Sequence, residues 1–232
     1  MKRPLWFMSK LNITDPKSWR ISSNIHLDMG CGINPRNPFA AEKVYGVDIL
    51  SNLEDKTKGF SYLQVMPGER IPLNDSSLDS LSGFDFLEHL PRGATLESNF
   101  FILFMNEAHR VLQKGGILLL VTPAFPSPAS FQDPTHVNFI SEGTINYFIG
   151  NFPPAQILGY GFAGNFKLLK QEWVGPFSKI WSAPEKSDIF YRSYPLEIIH
   201  ELKKIISKPQ RIRSIIAAIR NPTHLIWLLE KS

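Results

Sequence analysis

Two groups of residues in this 232-residue chain have the types and spacing for chemistry. The first is Asp28-Met29-Gly30-Cys31-Gly32, which follows a short apolar run, with Asp48 ending the next apolar run 18 residues beyond Gly30. Glycines in a strand-to-helix turn let the backbone approach a ligand closely, and the N–H groups exposed there suit a polar or anionic group. An acidic residue at the tip of the second strand can take both hydroxyls of an adenosine ribose. The pattern therefore points to a nucleoside. A dinucleotide fingerprint needs a third glycine at position 35, which Pro35 occupies, so nicotinamide chemistry is disfavoured. The second group is Asp133-Pro134-Thr135-His136-Val137-Asn138, together with Glu88-His89. An imidazole titrates near neutral pH and suits a general base. His136, with Asp133, is the first candidate for that role; the alternative is a loop histidine that caps a helix or bonds Asp133. Glu88 and His89 form the second candidate pair, or else they orient their own loop. These four residues lack a ligand-spaced repeat, and no metal is expected from them. Cys31 sits in a tight turn with no base implied beside it, which argues against a nucleophile. His109, among apolar neighbours, reads as structural.

The elements that must position these groups alternate. Short strands are predicted at 24–28, 44–47, 60–65, 78–82 and 116–121. Between the last two, Phe100, Phe101, Phe104, Met105, Ala108, Val111 and Leu112 recur at helical spacing, and Lys114-Gly115-Gly116 reads as the helix stop. Strands alternating with helices argue for a parallel, doubly wound α/β sheet. Beyond Val121 the pattern changes. Residues 123–135 form a Pro/Ser-rich loop, Ser141 caps a predicted helix to Phe148, 166–174 reads as a strand, and 224–230 as the last strand. Residues 196–219 read as an amphipathic helix broken at Pro209. Residues 1–23 are a lead-in.

Composition narrows the class. The chain is 43% hydrophobic and 20% charged, as expected of a globular protein rather than a disordered one. One cysteine excludes a disulfide framework and fits a reducing compartment. No apolar run is long enough to span a membrane, and the N-terminus does not read as a signal peptide, so a cytoplasmic location is expected. The net charge of +4 is carried entirely by 195–222, where six basic residues face two acidic ones. That excludes a global nucleic-acid footprint and leaves a local basic element.

The same residues resemble the class I S-adenosylmethionine-dependent methyltransferases, of the small-molecule and sugar methyltransferase type 11 kind. Leu27–Gly32 is similar to the family's first motif and Val44–Asp48 to its second. Ile71–Asp79 is similar to the segment before the fourth strand, and Gly83–His89 to the segment after it. Glu107–Gly116 is similar to the helix and turn before the fifth. The resemblance covers about residues 24–123. It implies a single domain with a seven-stranded, mostly parallel sheet whose last strand is reversed, and S-adenosylmethionine as cofactor. On that basis Asp28, Gly30 and Gly32 would line the methionine and ribose side, and Asp48 would bind the ribose. Phe84, Asp85 and His89 would sit by the methionine and sulfonium. Residues 124–165 would form the acceptor side, 195–222 a basic helical insertion and 224–230 the reversed strand. Two features depart from the pattern. Pro67 stands where many relatives carry an acid for the adenine amine. Pro35 and Pro38 require the first helix to be short or irregular.

The resemblance favours O-methylation of a sugar or other small hydroxylated acceptor, in surface-polysaccharide or secondary-metabolite assembly. A non-catalytic nucleoside-binding scaffold is the alternative. No nucleic-acid partner is expected. The 196–219 segment suits either a lid or dimer contact, or peripheral contact with an anionic membrane surface.

Overall fold

The computed structural model describes residues 23–51, 60–93, 95, 99–175, 180 and 222–232. The lead-in before residue 23 and the predicted helix over 196–219 lie outside them. Seven strands run β1 Ile25–Met29, β2 Lys43–Asp48, β3 Ser61–Gln64, β4 Leu78–Phe84, β5 Leu112–Pro123, β6 Phe166–Val174 and β7 His224–Lys231. Their order is β3-β2-β1-β4-β5-β7-β6, parallel from β3 through β5. β7 is antiparallel to both β5 and β6. This is the α/β sheet with a reversed last strand implied by the resemblance. Among the described residues no helix is long and apolar enough to cross a membrane.

Strand alternation divides the core. Leu27, Leu81, Leu118, Leu120 and Trp227 face the helix α1, Phe100–Val111, which buries Phe104, Met105 and Ala108 against them. Asn99 caps α1 by accepting from the amides of Phe101 and Ile102. Ile117, Leu119, Val121, Ile226 and Leu228 face the other way, under Phe39 and Ile180. On the polar face of α1, Arg110 bonds Glu107, Asp75 and the carbonyls of Ile71 and Leu73. Glu107 in turn accepts from the Ile71 amide at 2.7 Å. The Ile71–Asp75 segment is thereby clamped to the helix.

Two expectations change. α1 ends at Val111 and β5 begins at once, so Lys114-Gly115-Gly116 lies inside the strand's span rather than at a helix stop. Gly115, at φ +76°, turns the chain there. The predicted helix from Ser141 is only a 3-10 turn, Thr144–Tyr147, and the Ser141 amide donates to the Thr144 hydroxyl instead of Ser141 capping it.

The irregular first connection is as anticipated: residues 30–42 contain no helix. The loop lies directly on β2, where a Cβ at Gly46 would fall 2.5 Å from the Pro35 ring. Beneath it runs a buried polar chain. Ser23 bonds Ser80, Ser80 bonds His26 Nδ1, His26 Nε2 bonds Ser82, and Ser82 donates to Asp28. Asp28 also accepts from the Arg36 amide at 2.8 Å.

That chain carries a pH signature. Burial holds the His26 imidazole down to about 3 and lifts the Asp28 carboxyl to about 6, from ordinary values of 6.5 and 3.8. Between about pH 6 and about pH 4 the folded pair keeps its one proton on Asp28, and the unfolded pair keeps one on His26. The counts are equal, so the pair adds no slope to stability there. In Asp28→Asn the folded state loses that proton and His26 acts alone. The variant then loses about 1.4 kcal/mol relative to wild type for each pH unit descended from about 6 to about 4. Urea denaturation of both proteins across this range measures the widening gap; a constant gap would show that the two groups do not titrate as an opposed pair.

Candidate functional site

A cavity of about 760 Å3 opens at the C-terminal ends of β1, β2 and β4 and runs along α1. Gly30, Asp48, Asp85, Phe86 and His89 are on its wall. Gly30 has φ +63° and packs on Phe86: a Cβ there would meet the ring at 2.8 Å. The Asp48 carboxylate accepts from the amides of Gly32 at 2.8 Å and Leu50 at 3.2 Å. It is thus fixed at the tip of β2, as a ribose diol requires. A nucleoside fits this set of residues: a glycine cradle that a side chain would fill, a held carboxylate, and apolar walls from Val47, Val65 and Phe86. Pro67 is on that wall too, so no carboxylate stands at its position to meet an adenine amine. The nearby Glu69 folds back to accept from the Met66 amide.

Three residues assigned to the cofactor side stand behind the wall rather than on it. Asp28 and Phe84 point to the opposite face of the sheet, because side chains alternate along a strand. Asp28 anchors the loop through Arg36, and Phe84 is buried under the Arg36 guanidinium, 4.4 Å from its ring centre. Gly32 acts through its N–H, which holds Asp48. Phe86 takes the place on the wall that the sequence reading gave to Phe84. Cys31 is kept protonated by burial, with Asp28 and Asp48 adding to the rise, which fits no nucleophilic role. His109 lines the far end of the cavity and packs edge-on against Phe166.

A second recess, about 470 Å3, adjoins the first and is lined by Asp85, Glu88, His89, Asp133, His136 and His224. The fold draws distant segments together here. The Glu88 carbonyl accepts from the amides of Val137 and Asn138, and the Asn138 side chain donates to the carbonyls of Leu87 and Leu90. These four bonds bring His136 to His89, with ring centres 4.8 Å apart. His136 Nδ1 lies 3.1 Å from the Ser130 carbonyl, which only accepts, so Nδ1 carries the proton and Nε2 the lone pair. Asp133 does not bond the His136 ring. Its carboxylate takes the Thr135 amide and hydroxyl, which lowers its pKa, and Thr135 Oγ1 meets His89 Nδ1 at 2.9 Å. Glu88 is 1% exposed, and burial, reinforced by Asp85, raises its carboxyl to about 8. Thr122 donates to Glu88 Oε2, while Oε1 has no hydrogen-bond partner.

Asp85 stands between the cavities at φ +48°, a strained conformation of the sort found at functional positions. Its carboxylate lies 3.1 Å from His224 Nε2. Sequence reasoning gave no role to His224, Thr135, Asn138 or Phe86. Thr135 and Asn138 sat inside the quoted segment, and Phe86 was two residues past Phe84. His224 had no local signal, since the register of β7 against β5 brings it to the site.

Fold and cavity together define an α/β domain with a nucleoside-sized site over the C-terminal ends of β1, β2 and β4. Residues 27–120 match the family described as Methyltransferase domain. That match spans the strands and helix that carry the first cavity, and it implies S-adenosylmethionine as the cofactor. No curated protein matches the sequence. Similar folds are found in a SAM-dependent methyltransferase from Archaeoglobus fulgidus, with TM-score 0.54, 19% identity, and 97% of this chain and 93% of that one covered. Another is an S-adenosylmethionine-dependent methyltransferase from Mesorhizobium loti, with TM-score 0.50, 13% identity, and 92% and 93% covered.

Asp48→Ala removes the carboxylate expected to take the ribose and frees the Gly32 amide. Hydrogen bonds to a charged group contribute about 1.5–3 kcal/mol, so affinity for S-adenosylmethionine should fall about tenfold to a hundredfold. Calorimetric titration of folded variant and wild type reads this directly; equal affinities would remove Asp48 from the ribose site.

Proposed function

We propose that this protein is an O-methyltransferase, moving a methyl group from S-adenosylmethionine to a hydroxyl of a sugar or other small acceptor seated in the second recess. The observation that carries this reading is that the two cavities share Asp85 and His89 on their walls. A donor in the first cavity and an acceptor in the second would meet there. When bound, S-adenosylmethionine supplies an electrophilic methyl group on a positively charged sulfur. The chain holds the acceptor oxygen in line and takes its proton. His136 Nε2, with its lone pair free, would accept the proton that the acceptor hydroxyl gives up as it takes the methyl group. Asp133 holds Thr135, which in turn fixes the His89 ring beside His136.

Phe131 and Phe139 support a sugar-sized acceptor. They flank the 133–138 segment, stack at 5.2 Å between centres and are more than half exposed. Such a pair offers a flat apolar platform for a sugar face. By the same reading the protein works in the cytoplasm on a small molecule and not on nucleic acid, and 196–219 is its candidate contact with a membrane surface.

A nucleoside-binding scaffold is the second reading, favoured by Pro67 on the cavity wall and by the helix-free connection at 30–42. A screen of sugars and other hydroxylated acceptors for S-adenosylhomocysteine formation separates the two. In the catalytic reading at least one acceptor turns over, and His136→Gln slows it about a hundredfold or more with cofactor affinity unchanged. Cofactor binding without turnover on any acceptor would establish the scaffold.

A further inference from the structure

The second recess gathers more donor atoms than a single general base needs. One donor atom from each of Glu88, His89 and His136 lies within 4.8 Å of the other two. His89 Nε2 is 4.0 Å from Glu88 Oε1. Each atom is also left free by its neighbours. Glu88 Oε1 is buried and lacks a hydrogen-bond partner, while Oε2 is held by Thr122. The Thr135 hydroxyl gives its proton to Asp133, so it receives the Nδ1 proton of His89 and leaves Nε2 with a lone pair. The Ser130 carbonyl does the same for His136.

We propose that Glu88, His89 and His136 form a binding site for a divalent first-row transition-metal ion, with its open coordination positions facing the acceptor recess. Two imidazoles and one carboxylate are a set suited to zinc, iron or cobalt rather than to magnesium or calcium, which prefer all-oxygen sites. The surroundings match what such ligands require. Each histidine gives its second ring proton to an oxygen, one of them backed by a carboxylate, which fixes tautomer and orientation. Metal–ligand bonds of about 2.1 Å set tetrahedral ligand separations of about 3.4 Å, so each side chain closes by at most about 0.7 Å from the present spacing. The sequence expectation of no metal rested on the missing ligand repeat. The pairing of the Leu87–Leu90 turn with Val137 and Asn138 supplies in space what the spacing lacked.

The acceptor-side reading bears on what the ion would do, not on whether it binds. Bound there, it would take the His136 lone pair and offer its open positions to the acceptor hydroxyl, lowering that hydroxyl's pKa in place of the imidazole.

The test uses the full chain, stripped with a chelator and dialysed, without cofactor or acceptor. Titration with cobalt(II) should give one equivalent of bound ion with a visible ligand-field absorption band, displaced by zinc(II). Glu88→Gln keeps the shape of the side chain and should weaken binding by at least the roughly tenfold to hundredfold that loss of a ligand's supporting partner costs, as should His136→Ala. Circular dichroism and S-adenosylhomocysteine affinity, unchanged in both variants, confirm that each is folded with its donor cavity intact. Substoichiometric cobalt, or binding that both variants retain at full strength, would overturn the site. Loss of nucleoside binding in the wild type would overturn the donor reading instead.

Discussion

The working end of this molecule depends on one tie: the carbonyls of the short turn after β4 accept the amides and side chain of Val137 and Asn138. Without it, the loop after β5 would have no fixed height above the sheet. With it, His136 faces His89, and the two cavities share a wall. The tie uses the carbonyls of Glu88 and Leu90 and the second lone pair of Leu87, so satisfying the turn and placing His136 are one event. Asn138 is nearly buried and bridges two carbonyls, as buried amides must where water cannot reach them.

The other end of the first motif is organised differently. A regular helix after β1 would bury an apolar stripe on the sheet. Pro35 and Pro38 prevent one, and Phe39 is what remains of the apolar cover over β1, tilted against the His26 ring at 5.5 Å. The strands respond with polar residues on that face. Ser23, His26, Asp28, Ser80 and Ser82 satisfy one another in an unbroken chain, which avoids the cost of buried unpaired groups. Asp28 serves that chain and the Arg36 amide together, so it shapes the glycine turn from behind. The carboxylate on the cavity wall at the second strand is Asp48.

This division explains what could be read from the sequence. The parallel strands, the helix before β5, the Gly30 turn and the Asp48 tip follow from local patterns of period and glycine, the reversed last strand was implied by the family resemblance, and the structure has each of them. Helix ends were less legible. The Lys114-Gly115-Gly116 stop is a bend within β5, because the pairing of Leu112 with Leu78 on β4 extends the strand back to Leu112, while β7 pairs with it only from Ile117. Side-chain direction at Phe84 and Asp28 also escaped, since a one-residue difference reverses the face of a strand. The candidate catalytic residues were named as two separate pairs. That Glu88, His89 and His136 form one cluster, and that His224 faces Asp85, are facts of long-range register, which residue spacing does not carry.

Stability alone does not account for Glu88. A carboxyl buried to 1% exposure, with one oxygen lacking a hydrogen-bond partner, costs the fold about 1–3 kcal/mol that glutamine or an apolar residue could partly recover. Nor is it isolated from other costs. Asp85, three residues before it, holds a left-handed backbone conformation that L-residues seldom adopt, and two imidazoles point their free nitrogens into the same recess. Each of these departs from what local preference favours, and all four converge where the methyl donor and its acceptor would meet. Departures scattered over a surface would signal drift. Departures that share one small volume, each supported by its own neighbours in Thr122, Thr135, Ser130 and Val121, are the pattern of a site whose geometry is held against the preference of its parts.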